Sequence, residues 1–259
     1  MSKHQVALWV WLATAFIGGV ANAESLNLPE TSFAEFRTII LETLKTQPEL
    51  FLEKSRLEEL AEDVKPDLPK AAQGLHYLLG SPFRYGHRIA SRFRKADERP
   101  GIFYASEAES TAIAETAYWR LRFFSRSPDF VPGNRTSEHL SFSVAVSTSR
   151  AVDLSRPPFD AQASDWRQTD DYKPCQDFAD VARQADTQLI RTVSARDPDA
   201  GCNAAIFDPA VFAGKTPDYR QTWHFRFEQG RLNAIAAFPG GGSFAFEPEI
   251  FGLPSSSGH

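Results

Sequence analysis

Five basic residues, Arg84, Arg88, Arg92, Arg94 and Lys95, lie close together in the first half of the chain. A guanidinium is a planar fork that holds phosphate oxygens in two parallel, charge-assisted hydrogen bonds. Clusters of this kind are usually solvated patches. Here Phe83, Tyr85 and Phe93 are interleaved with the charges, which suits the wall of an anion-binding pocket. Further on, Glu115 stands among Ala112, Ile113, Ala114 and Ala117. A carboxylate in such company is costly to bury unless it is paired or hydrogen-bonded, so it either points to water, as most helix glutamates do, or serves as a perturbed functional acid. A third group is Ser194-Ala-Arg-Asp-Pro198 with Asn203 close behind. It follows an apolar segment, and a polar loop at a strand end is a common home for binding groups, although Asp197-Pro198 alone would account for a turn. Cys175 and Cys202 have no histidine at a suggestive spacing, and Cys175 reads as a packing residue. The six histidines are scattered. No structural metal is expected.

These residues need elements to hold them. The segment from Gly101 to Ser106 reads as a short buried strand, and Ser106 with Glu109 has the form of a capping box opening a helix that runs through Glu115 and Trp119 toward Phe124. Leu140, Phe142, Val144 and Val146 alternate with polar or small residues, the clearest strand in the chain. Cys175, Phe178, Ala179, Ala182 and Ala185 give a short amphipathic helix, and Leu189 to Val193 a strand. Trp223, Phe225 and Phe227 alternate before a Gln229-Gly230 turn into Leu232 to Phe238, which predicts a hairpin, and a last short strand is expected at Phe244 to Phe246. Two amphipathic helices are expected between about 31 and 65, ended by Pro66 and Pro69. The segment from His76 to His87 is aromatic and broken by Gly80 and Pro82. Ser125 to Arg135 reads as a loop, and Asn134-Arg-Thr136 within it has the N-glycosylation form. Helices and short, mainly antiparallel strands in mixed order predict an α+β domain.

The 259 residues are 42% hydrophobic and 24% charged, with 21 Phe and 5 Trp, enough for one sizeable core or two small ones. A net charge of -5 does not suit a general nucleic-acid binder, and two cysteines cannot form a disulfide scaffold. At the N-terminus, Lys3 precedes an uncharged run from Val6 to Val20 and then Ala21-Asn22-Ala23. Basic start, short apolar middle and small residues before a cut are the three parts of a secretory signal peptide, and the run is short for a membrane span. The expected organisation is a leader or mis-assigned extension over 1–23, a helical segment over 24–70, a catalytic domain over 71–250 and a flexible tail over 251–259, with no membrane span in the mature chain.

Taken in order, several blocks resemble the RES domain, named for its Arg, Glu and Ser. They are Ser81-Pro-Phe-Arg-Tyr-Gly86, Ser91-Arg-Phe-Arg94, Gly101-Ile-Phe-Tyr-Ala-Ser-Glu107, Thr111-Ala-Ile-Ala-Glu-Thr-Ala-Tyr118, Asp171-Tyr-Lys-Pro-Cys-Gln176 and Ile190-Arg-Thr-Val-Ser-Ala-Arg-Asp-Pro198, followed by Asn203. The resemblance runs from His76 to past Thr222 and rests on order and spacing, since no single block is decisive. It implies an ADP-ribosyltransferase-like fold of mixed, mainly antiparallel sheets with flanking helices. It also implies a bacterial toxin that depletes NAD by hydrolysis or phosphorolysis or transfers ADP-ribose, and a repressor-like antitoxin that blocks the pocket. NAD would be substrate, with no resident cofactor and no direct contact to nucleic acid. Carried over by position, Glu115, Arg92 and Ser194 are the implied catalytic residues, and Arg84, Tyr85, Arg92, Tyr104 and Asn203 the implied substrate-binding ones. The strand that opens such proteins is not recognisable, and the leader-like segment stands roughly where it would be. A leader implies export whereas the family acts in the cytoplasm, so localisation stays open.

Two other functions fit the same residues. An exported glycosidase would need two carboxylates, Glu115 with Glu107 or Asp197. A non-catalytic RES-like module would bind the nucleotide without turnover.

Overall fold

The computed structural model describes residues 6–11, 66–127 and 136–254. The two helices expected before residue 66, the Asn134 glycosylation site and most of the tail lie outside the described residues. The α+β class is as expected: the described residues form nine strands in one sheet, with helices on its faces. The strands are β1 (Val6–Trp11), β2 (Phe103–Ser106), β3 (Ser137–Val146), β4 (Ala151–Asp153), β5 (Leu189–Val193), β6 (Cys202–Ile206), β7 (Tyr219–Glu228), β8 (Arg231–Ala236) and β9 (Ser243–Phe246). Their spatial order is β4-β5-β6-β2-β1-β3-β7-β8-β9, and only β4 and β5 run parallel.

The leader-like apolar run therefore contributes the central strand. Val6 to Trp11 pairs along its whole length with Val146 to Ser141 of β3. Toward β2 it makes a single register pair, Trp9 with Ser106. The sheet is thus two well-laddered halves joined at a narrow seam.

Besides a single turn at Ala163–Trp166, three longer helices among the described residues support it: α1 (Tyr77–Arg84), α2 (Glu109–Ser125) and α3 (Lys173–Gln184). The sequence suggested a break at Gly80 and Pro82, yet α1 runs through both. His76 opens it by accepting a hydrogen bond from the Leu78 amide, 3.3 Å, and Pro82, two residues from the end, removes one bond of the ladder without ending the helix. Burial of Leu78, Leu79 and Phe83 repays the irregularity. The expected capping box does not form. Helix α2 begins at Glu109, with Ala108 before it and no side-chain cap. Glu109 instead accepts from Ser141 Oγ (2.5 Å) and Trp223 Nε1 (2.9 Å), while Ser106 turns to the other half of the sheet. The hairpin is as predicted: Gln229 and Gly230 both have positive φ, 52° and 78°, which lets the right-twisted strands meet through a two-residue turn. Strands β4 and β6 were not legible. Cys202-Asn-Ala-Ala-Ile206 has too little β-branched or aromatic character to stand out, and becomes a strand because β2 and β5 flank it.

The pleat divides the core. Phe103 and Ala105 of β2, Ala204 and Ile206 of β6 and Leu189 of β5 face α1, joined by Phe142, Val144 and Val146 of β3. On the opposite face, Ala205 and Ile190 pack with Ile102, Phe93, Trp166 and the residues Cys175, Ala179 and Ala182 of α3. A third cluster binds α2, through Ile113, Ala114, Ala117 and Leu121, to Trp223, Phe225, Leu232, Ala234 and Phe246. Alternate residues of one strand point to opposite faces, so Tyr104 and Ser106, Asn203, and Thr192 and Ser194 all fall on the α3 side.

Candidate active site

Register brings three side chains into one row. Ser106 pairs with Asn203, and Asn203 with Thr192. The chain leaving β5 turns at Ser194, and α2 lies along the end of this row. Thr111, Glu115 and Tyr118, spaced four and three residues apart, form the α2 stripe that faces the Ser194–Gly201 loop. Thr111 Oγ1 donates to Asp197 Oδ2 at 2.7 Å. A Cβ on Gly201 would lie 2.0 Å from Thr111 Oγ1 and 2.5 Å from Asp197 Oδ2, so only glycine allows this close approach.

Glu115 is the centre. Its Oε1 accepts from Ser194 Oγ (2.7 Å) and from Asn203 Nδ2 (2.6 Å), and Asn203 Oδ1 accepts in turn from Ser106 Oγ at 2.7 Å. Its Oε2 has Arg196 Nη1 at 3.6 Å, and the carboxylate side chain is 19% exposed. The acid is therefore hydrogen-bonded through one oxygen, while the other stands opposite a guanidinium. Glu115 is thus half-buried and hydrogen-bonded, and does not simply point to water.

Ser194 is fully buried. Its hydroxyl donates to Glu115 and accepts from the amides of Arg196 (3.1 Å) and Asp197 (2.9 Å). With donor and acceptors so engaged, it positions Glu115 and shapes the turn.

Arg92 belongs to the same cluster. Its Nη1 and Nη2 donate to Val193 O at 3.1 Å, and Nη2 also reaches Thr192 Oγ1 (3.1 Å) and Trp166 O. It is buried, and burial lowers its pKa against the raising effects of Cys175 and Glu115. Arg92 thus braces the end of β5, and gripping a phosphate would require it to release backbone carbonyls. Arg94 is similar, donating to His87 O and Ile89 O, and Lys95 pairs with Asp180. Of the five basic residues, Arg92 and Arg94 are therefore internal scaffolding, while Arg88 and Lys95 are exposed.

Tyr104 stands on the same face as Ser106. Its ring is 37% exposed, while its hydroxyl is enclosed, accepting from the Phe93 amide (3.1 Å) and bonded to Ser91 Oγ (2.9 Å). Desolvation pushes the phenol pKa up despite these bonds. A fixed ring with an open face suits stacking. Arg84 and Tyr85 end α1 and pass beside Gly101, whose Cβ would meet the carbonyls of Pro82 and Tyr85 at 2.0 and 2.6 Å. Gly101 and Ser106 are five residues apart, roughly 16 Å along an extended chain, so these two residues are not gathered onto the Glu115 cluster.

The sequence reading overlooked Arg196, Tyr118 and Tyr172. Arg196 lies 4.9 Å from the Tyr118 ring centre, 5.2 Å from that of Trp119 and 6.0 Å from that of Tyr172, and donates to Tyr172 Oη at 3.0 Å. Burial acts to lower its pKa, but Glu115, Tyr172 and Tyr118 outweigh it and the net shift is upward. The spacing of Glu115 and Tyr118 was a usable signal, whereas Tyr172 arrives from a distant loop. The two acids considered as partners of Glu115 are occupied elsewhere: Arg191 holds both oxygens of Glu107 (2.6 and 2.8 Å), and Asp197 accepts from Thr111, Asp199 and Gly201. Beyond the Asp197 turn is a separate recess of about 200 Å³, lined by Ser110, Ala114, Asp199, Phe244 and Phe246 among others; Glu115 is not part of its wall.

The family model of the RES domain matches residues 68–228. The chain belongs to the RES family. No curated protein matches this RES chain. Among solved structures, the MbcT–MbcA toxin–antitoxin complex of M. tuberculosis is similar over 64% of this chain and 76% of that one, at 13% identity and a TM-score of 0.37. The matched region includes each residue of the Glu115 cluster and stops at the end of β7, so β8 and β9 of this RES chain lie beyond it.

Proposed function

We propose that this RES protein is a toxin that breaks the nicotinamide–ribose bond of NAD, with Glu115 as the catalytic carboxylate and a repressor-like antitoxin as its partner. The observation that carries the reading is the asymmetric tethering of Glu115, with Oε1 anchored by Ser194 and Asn203 and Oε2 held opposite Arg196 Nη1 at 3.6 Å, beyond hydrogen-bond range. As nicotinamide departs as a neutral amine, the ribose takes on oxocarbenium character. A carboxylate already oriented toward that charge, and partly screened from water, stabilises it without having to reorganise. Tyr104 offers a ring face for stacking, and Ser194, Asn203 and Arg92 act on the acid and its loop. Water, phosphate or a protein side chain then captures C1 of the ribose.

Nicotinamide release from NAD, with and without phosphate, tests this. Glu115→Gln keeps the size and most hydrogen bonds and removes the charge, so it should lower kcat about 100- to 1,000-fold while the protein remains folded by circular dichroism. Equal turnover by both proteins would remove Glu115 from the reaction. No second acid free for a glycosidase pair is present among the described neighbours of Glu115, which leaves the NAD reading favoured.

A further inference from the structure

Arg196 is two residues past Ser194, and its place is set by the same hydroxyl that tethers Glu115: Ser194 Oγ accepts from the Arg196 amide and donates to Glu115 Oε1. The side chain is only 6% exposed. Two rings of α2, Tyr118 and Trp119, and the ring of Tyr172 surround the guanidinium, a geometry that attracts a cation and fixes its plane. The Tyr172 hydroxyl accepts from Nη2, which leaves Nη1 facing Glu115 Oε2 at 3.6 Å. That separation is beyond hydrogen-bond range. The cation thus balances the acid's charge without occupying the oxygen.

We propose that Arg196 is the positioning residue for Glu115: held in its aromatic enclosure, its charge fixes the orientation of the carboxylate through Oε2 while Ser194 and Asn203 hold Oε1. The sequence had given the leading arginine role to Arg92. In the structure Arg92 is committed to carbonyls at the end of β5, and Arg196 is the guanidinium set against the acid. A full hydrogen bond would compete with the substrate for Oε2, which is why the stand-off distance matters.

The inference deepens the NAD reading and rests on it for its kinetic test. The full-length wild type, R196M, R196K and Y172F are compared for nicotinamide release, with folding followed by circular dichroism and Tm. R196M retains apolar bulk against the rings and removes the charge; its kcat should fall about 100-fold with KM within about 3-fold of wild type. R196K restores charge without the planar fork and should recover about 10-fold of that loss. A folded R196M with wild-type kcat, or one whose loss lies wholly in KM, overturns the proposal. Should R196M fail to fold, Y172F decides: freeing Nη2 should lower kcat about 5-fold, and unchanged kinetics count against the role. Should the wild type itself leave NAD intact, the substrate reading fails and the positioning role is judged by stability alone. R196M, E115Q and the double variant then form a cycle. A double variant no less stable than the worse single one supports the coupling, and additive losses in Tm overturn it.

Discussion

At the level of single residues, the site depends on hydroxyls and amides as much as on charges. Ser194 shows this best, because one hydroxyl serves Glu115 and two loop amides at once. Ser194→Ala would leave the buried amides of Arg196 and Asp197 without their acceptor, so it should cost about 1–3 kcal/mol of stability and lower kcat for nicotinamide release. Denaturant unfolding with parallel kinetics checks both, and a variant with native stability would mean that water replaces the hydroxyl. His139, away from the site, is the pH-sensitive residue. Burial and the nearby Arg120 lower its pKa from 6.5 to about 4, and its Nε2 lies 3.0 Å from Arg120 Nη1. Between these two values the unfolded chain takes up a proton that the folded chain refuses. Stability is therefore complete above pH 6.5 and declines as the pH falls toward 4. The side chain is partly exposed, so the loss is about 1–2 kcal/mol. Melting curves across this range should flatten in His139→Gln.

At the level of elements, α2 is the hinge of the design. One stripe of it, Ile113, Ala114, Ala117 and Leu121, is buried against β7 to β9, and the other, Thr111, Glu115 and Tyr118, meets the Ser194 loop. The helix thus spans the seam between the two halves of the sheet and delivers its acid there. Strand β1 closes the same seam from within. Leu8 pairs with Val144, so Leu8→Pro would remove a ladder bond in a central strand and should destabilise the protein by about 3 kcal/mol or more. A chain beginning at Glu24, as cleavage after Ala23 would produce, lacks the strand entirely and should lose cooperative thermal unfolding. Retention of a sharp transition in that shortened chain would show the two halves to be held by α2 and the hydrophobic clusters alone.

At the level of the whole molecule, the RES match and the folding unit have different limits. The match ends at Glu228, yet Leu232, Ala234 and Phe246, all beyond it, are buried against α2. A chain stopped after Glu228 would expose the apolar stripe of the helix that bears Glu115. Removing several buried side chains of this size costs about 2–5 kcal/mol each, which exceeds what a marginally stable domain tolerates. Such a truncation should bind a hydrophobic dye, lose near-ultraviolet dichroism and release no nicotinamide. Native spectra would make the last two strands an accessory.

The sequence alone was sufficient for the class and for most strands and helices, because alternation, three- and four-residue spacing and a two-residue turn are set by neighbours along the chain. Glu115, Ser194 and Asn203 were linked only through the family resemblance, and the fold joins them by hydrogen bonds. The sequence misjudged Ser106, whose expected cap is instead a bond to Asn203, and it did not show that residues 6–11 pair as a strand. It also could not tell which arginine faces the acid. Arg92 and Arg196 are equally basic and both near serines in sequence, and only packing decided that one is used up on carbonyls while the other stands opposite Glu115. Such choices depend on where β5, α2 and the Tyr172 loop meet, and contacts between distant segments leave no periodic trace in the chain.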